Sequence, residues 1–233
     1  MCDSSVSLRG RRASHWLLAG LLGGGAVLFG ATASSALEFA KHPADNATVN
    51  AIEVKGKIET GDAVALQAYI AKLPNKTVTI VYLNSPGGSL EEGMALGRLF
   101  HRARIRTAVV GNDVVCRSAC STAFLGGRDA ETAEPWRVKG STARLGFHSF
   151  EIEWGDREYN AQDMSNAIAQ TQKITLAMAD YMTEVGASLE FLRANLRTPV
   201  DHMSYISNEE ALSLSIYIVN DKTGELITPA RVK

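Results

Sequence analysis

The chain has 233 residues, of which 45% are hydrophobic and 21% charged, and its formal net charge at pH 7 is −1. Intrinsic disorder is excluded, because this composition supplies enough apolar surface for the core of one globular domain. Electrostatic binding of nucleic acid is also excluded, since no basic stripe with interleaved aromatic residues is present.

The N-terminal segment has the pattern of a secretory signal peptide. Three arginines precede an apolar, uncharged run at 16–31, and small residues follow at 34–36. We therefore expect residues 1–36 to be removed and residues 37–233 to form a single periplasmic or secreted domain. An uncleaved N-terminal membrane anchor is the alternative, although the run is shorter than the roughly 20 residues that span a bilayer.

Strand and helix patterns then alternate along the chain. Residues 51–58 alternate like a strand, and residues 61–73 place apolar side chains on one helical face. The β-branched, nearly continuous apolar run at 77–83 predicts a parallel strand buried on both faces.

A helix is predicted at 89–102, with Ser89 as N-cap and Glu92 completing a capping box. A strand at 105–110 and a short buried helix at 118–125 follow. Strands and helices in this order imply right-handed crossovers and an α/β layered core.

The second half of the chain is predicted to be mainly helical. Residues 160–184 have near-helical apolar spacing and predict a long, protruding helix, which would either mediate self-association or cover the sheet. Shorter helices are predicted at 189–195 and 208–214, the second capped by Ser207 or Asn208.

Three motifs point to acyl-transfer chemistry. A Pro-Gly-Gly turn at 86–88 joins a strand to a helix start, where backbone N–H groups, including those of Gly87 and Gly88, can trap an anion. Ser118 lies at a second loop-to-helix junction, and His148 follows a short apolar segment. Together they predict an oxyanion hole, a nucleophile and a base, although such a serine is often only an N-cap and such a histidine only structural.

The cysteines leave two hypotheses open. Cys2 leaves with the signal peptide, so the mature chain keeps Cys116 and Cys120, which an oxidising compartment can bridge. If they remain reduced, Cys120 is an alternative nucleophile; if they are bridged, the disulfide pins the loop that presents Ser118. No histidine has cysteine or carboxylate partners at zinc-like spacing, so no metal site is predicted.

With these motifs in place, the chain resembles the Clp protease proteolytic subunit (ClpP) and other members of the crotonase-like superfamily, including signal peptide peptidase A. The resemblance covers about residues 50–221. It is carried by Leu-Asn-Ser-Pro-Gly-Gly at 83–88, Arg-Ser-Ala-Cys-Ser-Thr-Ala-Phe-Leu at 117–125, Leu-Gly-Phe-His at 145–148 and Ile-Ser-Asn-Glu-Glu-Ala at 206–211.

The resemblance implies a ClpP/crotonase-like ββα superhelix and serine-peptidase chemistry without a cofactor. Ser118 would attack the carbonyl, His148 would accept its proton, and the Gly88 and Ala119 N–H groups would hold the oxyanion. Cys120 stands where the family usually has glycine. The family's acidic residue aligns with a proline, which leaves Asp201 as the nearest candidate for the third member.

The expected function is that of an exported ClpP-like serine peptidase that hydrolyses peptide bonds in a polypeptide substrate and forms a homo-oligomer. The alternative is a catalytically inactive relative that binds polypeptide without cutting it. The two hypotheses differ in whether Ser118 is reactive.

Overall fold

The computed structural model describes residues 37–150 and 155–229, which belong to one compact unit. The predicted signal peptide lies outside the described residues. The strands are β1 Glu38–Lys41, β2 Val49–Lys55, β3 Val78–Asn84, β4 Arg106–Val109, β5 Val115–Arg117, β6 Arg137–Gly140, β7 Arg144–Phe147, β8 Ser204–Tyr205, β9 Tyr217–Val219 and β10 Leu226–Ile227. The helices are α1 Asp62–Ile70, α2 Leu90–Arg102, α3 Ala119–Phe124, α4 Ala161–Glu184, α5 Glu190–Arg197 and α6 Asn208–Ser213.

A mixed seven-stranded sheet forms the centre of the fold, in the order β1-β2-β3-β4-β6-β9-β10. The inner strands β2, β3, β4, β6 and β9 are parallel, and β1 and β10 add antiparallel edges. Helices α1 and α2 connect consecutive parallel strands, which confirms the predicted α/β class.

A small second sheet of order β5-β7-β8 stands beside the end of β3. Strand β5 is parallel to β7, and a bridge between Ser85 and Cys116 connects β5 to the segment that follows β3. The sequence pattern did not predict β5 or β8, since strands of two or three residues are too short to show an alternation. This sheet positions the site described below.

The prediction that the apolar strand at 77–83 is buried on both faces was wrong. Val81 and Leu83 of β3 are buried, but Ile80 and Tyr82, which alternate with them, are only half-buried. On that face the ring of Tyr82 stacks on His42, with 3.7 Å between the ring centroids. The continuous apolar run therefore predicted the strand correctly but overestimated the burial of its second face.

The capping box at α2 is only half formed. Ser89 accepts a hydrogen bond from the Glu92 N–H, as predicted, but the Ser89 N–H donates to Ile58 O rather than to the Glu92 side chain. Glu92 instead accepts from the N–H of Ala63 in the first turn of α1, at 2.7 Å. The carboxylate thus links two helix N-termini, where its negative charge is favourable.

Helix α2 packs unusually close to α3 because of its glycines. A Cβ placed on Gly93 would lie 2.5 Å from Ala119 O, and one on Gly97 would lie 1.8 Å from the Tyr181 hydroxyl. That hydroxyl is buried and donates to Thr122 O of α3 at 2.7 Å. The last turns of α4, where Tyr181 lies, are in this way tied to the middle of α3.

The long helix α4 confirms the prediction at 160–184. Asn160 and Asp163 form a capping box at its N-terminus. The buried side chains of α4, Met178, Tyr181 and Met182, all lie near its C-terminal end, whereas Met164 and Ile168 are more than half exposed. Among the described residues, no helix is both long and apolar enough to cross a bilayer.

We expect Gly97→Ala to lower the free energy of unfolding by about 2 kcal/mol. The added methyl group overlaps the Tyr181 hydroxyl, an overpacking cost of about 3 kcal/mol that outweighs a gain of about 1 kcal/mol in helix propensity. Chemical denaturation measures the change. Gly155→Ala is the matched control, since the nearest atom to its Cβ is 3.9 Å away; equal stability of the two variants would contradict the close packing.

Candidate active site

The Pro-Gly-Gly turn after β3 runs beside Ile58. The Ile58 N–H donates to Gly87 O at 2.8 Å, and the Ser89 N–H donates to Ile58 O at 2.9 Å. Gly88 has a φ of 146°, and a Cβ placed on it would lie 2.0 Å from Ile58 O. Only glycine fits this position, and its own N–H makes no hydrogen bond to Ile58.

Ser118 occupies the turn between β5 and α3 in a strained conformation, with φ 58° and ψ −127°. It precedes the first residue of the helix, but its hydroxyl makes no capping hydrogen bond. The interpretation of Ser118 as a simple N-cap therefore does not apply. A sharp strand-to-helix turn with a serine at its apex is a known way to expose a nucleophilic hydroxyl, and strain of this kind concentrates at functional sites.

The two turns touch each other. A Cβ on Gly87 would lie 2.7 Å from the Ser118 Cβ and 3.2 Å from the Ala119 nitrogen, so the bare Gly87 backbone packs directly on the serine. Within the described part of the chain, the N–H groups of Gly88 and Ala119 donate to no acceptor. Two unpaired donors at converging helix starts are the arrangement that an oxyanion hole requires.

A disulfide joins Cys116 to Cys120, with 5.2 Å between their Cα atoms, and Ser118 lies at the middle of the closed loop. Both cysteines are fully buried. A bonded, buried sulfur has no thiolate to offer, so in this form of the protein Cys120 is not the nucleophile. The bridge instead fixes both ends of the turn that carries Ser118.

Hydrogen bonds to Gly146 of β7 fix the same turn from the other side. The Ser118 N–H donates to Gly146 O at 3.1 Å, and the buried Ser121 hydroxyl donates to the same oxygen at 2.5 Å. Since β5 and β7 pair in parallel register, with Arg117 opposite Gly146, the end of β7 brings His148 to the level of Ser118.

Ser118 and His148 line one cleft of about 380 Å³ together with Gly88. Its apolar walls come from four segments: Leu90, Phe150, Met178 and Val200. Ser89, Thr122 and Asn195 complete the lining. Among the residues described, no carboxylate borders the cleft, and His148 is its single titratable side chain.

The Nδ1 atom of His148 has no hydrogen-bond partner among the described residues, and it is buried. Asp201, the residue predicted to orient it, is exposed and has its Oδ1 2.8 Å from Nδ1 of His202. The hydrogen bond from His202 lowers the pKa of the Asp201 carboxyl, and the electrostatic interaction with the same histidine lowers this pKa further. The structure thus brings Ser118, His148, Gly87, Gly88 and Ala119 together but does not join Asp201 to them.

The sequence prediction missed Asn195 as a cleft residue. It lies one helical turn after Phe191 in α5, on the buried side of that helix. An asparagine at i+4 from a buried aromatic residue, on an otherwise apolar helix face, is the signal that could have identified it.

Neither a protein-family model nor a curated protein matches the chain. Within residues 37–150 and 155–229, no group of three or more histidine, cysteine, aspartate or glutamate side chains is placed to hold a metal ion.

We expect the double substitution Cys116→Ala/Cys120→Ala to lower the free energy of unfolding by about 2 kcal/mol, the loop entropy that a disulfide removes when it closes so short a loop. Denaturation of residues 37–233 without reductant measures this loss. The control is the same pair of proteins in excess reductant, where the two curves should converge. A free thiol in the unfolded, unreduced parent chain would contradict the disulfide.

Proposed function

We propose that this protein is an exported serine peptidase of the ClpP/crotonase-like type that hydrolyses peptide bonds in polypeptides. The observation that carries the proposal is the packing of Gly87 on Ser118, which places two unpaired N–H donors beside a strained serine without a capping role. The proposal includes a ββα superhelix as the fold and a relationship to ClpP.

In the proposed reaction, Ser118 Oγ attacks the carbonyl carbon of the scissile peptide bond while His148 accepts the hydroxyl proton at Nε2. The Gly88 and Ala119 N–H groups stabilise the negative charge that develops on the carbonyl oxygen. Each donor of this kind commonly contributes about 3 kcal/mol to the barrier reduction. His148 then donates the proton to the leaving amine. In the second half of the reaction, His148 accepts a proton from water as the water attacks the acyl-enzyme, and it returns that proton to Ser118 when the acyl group leaves.

The cleft supports a polypeptide as substrate. Its lining combines four apolar side chains with uncharged polar groups, and among the described residues it contains no carboxylate, lysine or arginine, which favours uncharged substrate side chains. An extended peptide can pair with exposed backbone beside such a site, a common way of binding polypeptide.

A non-catalytic polypeptide-binding protein is the second candidate. The specific observation in its favour is the unpartnered Nδ1 of His148, since a base without an orienting acceptor loses much of its catalytic power. The cleft lined by Ser118 and His148 would serve polypeptide binding equally well.

We expect a serine-directed fluorophosphonate to modify the mature protein at Ser118, because only a serine activated by a base and an oxyanion hole reacts readily. Peptide mass spectrometry locates the adduct. It should vanish in Ser118→Ala and persist in Ser165→Ala, which alters an exposed serine on α4. A folded protein that forms no adduct would refute the peptidase and favour the binding protein.

His148→Gln should slow the modification of Ser118 by about 100-fold or more, since a positioned general base commonly contributes 10²–10⁴-fold. The second-order rate constant of fluorophosphonate labelling measures the effect. His202→Gln is the matched control, because His202 is exposed and does not border the cleft. Equal losses in the two variants would mean that His148 is not the base.

A further inference from the structure

Helix α5 packs on the end of β7 at two points that flank His148. The rings of Phe147 and Phe191 lie 5.4 Å apart, and the Ser149 N–H donates to Thr198 O at 2.9 Å. Asn195 lies between Phe191 and Thr198 on α5, as His148 lies between Phe147 and Ser149. The two contacts therefore hold the part of α5 that carries Asn195 against the end of β7 that precedes His148, and both residues border the same cleft.

Asn195 is only 4% exposed. Its amide NH₂ donates to Phe191 O at 2.7 Å, which fixes which side of the amide is the oxygen. Within the described residues, no donor reaches Oδ1. Asn195 therefore presents to the cleft an acceptor without a donor, and His148 holds a buried Nδ1 without an acceptor.

We propose that Asn195 is the positioning residue for the catalytic histidine, in the place that an acidic residue takes in most serine peptidases. In the reacting complex its Oδ1 accepts the Nδ1 proton of His148. Catalytic hydrogen bonds are often long before substrate binds and shorten in the complex. This inference rests on the proposed peptidase function.

An amide oxygen can supply the hydrogen-bond acceptor that a catalytic histidine needs at Nδ1. When Nδ1 of neutral histidine carries its proton, Nε2 is free to accept the proton of Ser118, and an acceptor at Nδ1 selects that tautomer. Papain-like proteases use an asparagine in the same role. A buried polar group is costly unless it is paired, so joining Asn195 to His148 satisfies two groups at once.

The surroundings favour an uncharged acceptor over a carboxylate. Among the described residues, the charged side chains on β7 and on the elements packed against it are Arg117, Arg137, Lys139, Arg144, Glu190, Arg193 and Arg197, and none of them borders the cleft. Among the described residues, no cation borders the cleft to offset a carboxylate at position 195, where the Phe191 carbonyl oxygen is 2.7 Å from the amide nitrogen.

The test is the tautomer of neutral His148, read from the nitrogen chemical shifts in long-range ¹H–¹⁵N NMR spectra of the mature protein. We expect the proton on Nδ1 in the parent chain and in Asn195→Asp, and on Nε2 in Asn195→Leu. Asn50→Leu is the matched control, since Asn50 is 5% exposed, donates to Pro74 O and has an unpartnered Oδ1, but borders a different cavity.

Fluorophosphonate labelling of Ser118 across pH gives the second measurement. Asn195→Leu should label at least about tenfold more slowly than Asn50→Leu. Asn195→Asp should label well, with the midpoint of its pH profile moved upward by about one unit, because an adjacent carboxylate favours the protonated imidazole.

The outcomes separate the two proposals. An Nε2 proton in the parent chain, or the same tautomer in Asn195→Leu as in the parent, would overturn the role of Asn195 even if Ser118 reacts. If no variant labels, the peptidase proposal fails, whereas the tautomers still decide whether Asn195 orients His148. Since the tautomer is read in any folded variant, failure of Asn195→Asp to fold leaves Asn195→Leu as the deciding comparison.

Discussion

The close approach of two backbone turns at Gly87 and Ser118 is the constraint on which the rest of this structure depends. A side chain at Gly87 would collide with the serine, and one at Gly88 would collide with Ile58. Because both turns open into helices, their contact brings two sets of unpaired N–H groups to one point. Neither turn alone would form the site, since each supplies one of the two donors.

Much of the surrounding structure serves to hold this contact. Because Gly93 has no side chain, α2 can lie against the Ala119 carbonyl, and the helices that begin at the two turns pack closely against each other. The disulfide and the bonds to Gly146 O restrain the serine turn, and Tyr181 ties the end of α4 to the same short helix. Strain at a single serine of order 1–3 kcal/mol is tolerated only where the neighbours fix the backbone so completely.

The sequence predicted the parts of this arrangement that local chemistry dictates. The apolar run of β3, the Pro-Gly-Gly turn and the N-caps Ser89 of α2 and Ser207 of α6 follow from short-range rules, and they appear in the structure near the predicted residues. What it could not predict depends on pairing between distant segments. Strands β5 and β8 exist because β7 lies between them, and Glu92 leaves its own helix cap because the N-terminus of α1 is near.

The residue proposed to orient His148 also could not be predicted from the sequence, because its placement depends on packing between distant segments. The resemblance left Asp201 as the nearest acidic candidate, but its side chain is exposed and paired with His202. Asn195 was overlooked because asparagine is neutral and its importance comes only from burial beside a cleft. In a cleft that no described cation borders, a charged acceptor would carry a desolvation penalty of several kcal/mol, whereas an amide avoids it and still offers one oxygen. A neutral residue beside the cleft that His148 lines is therefore physically consistent with the proposed peptidase, and the absence of a carboxylate from the described lining is by itself no evidence against that proposal.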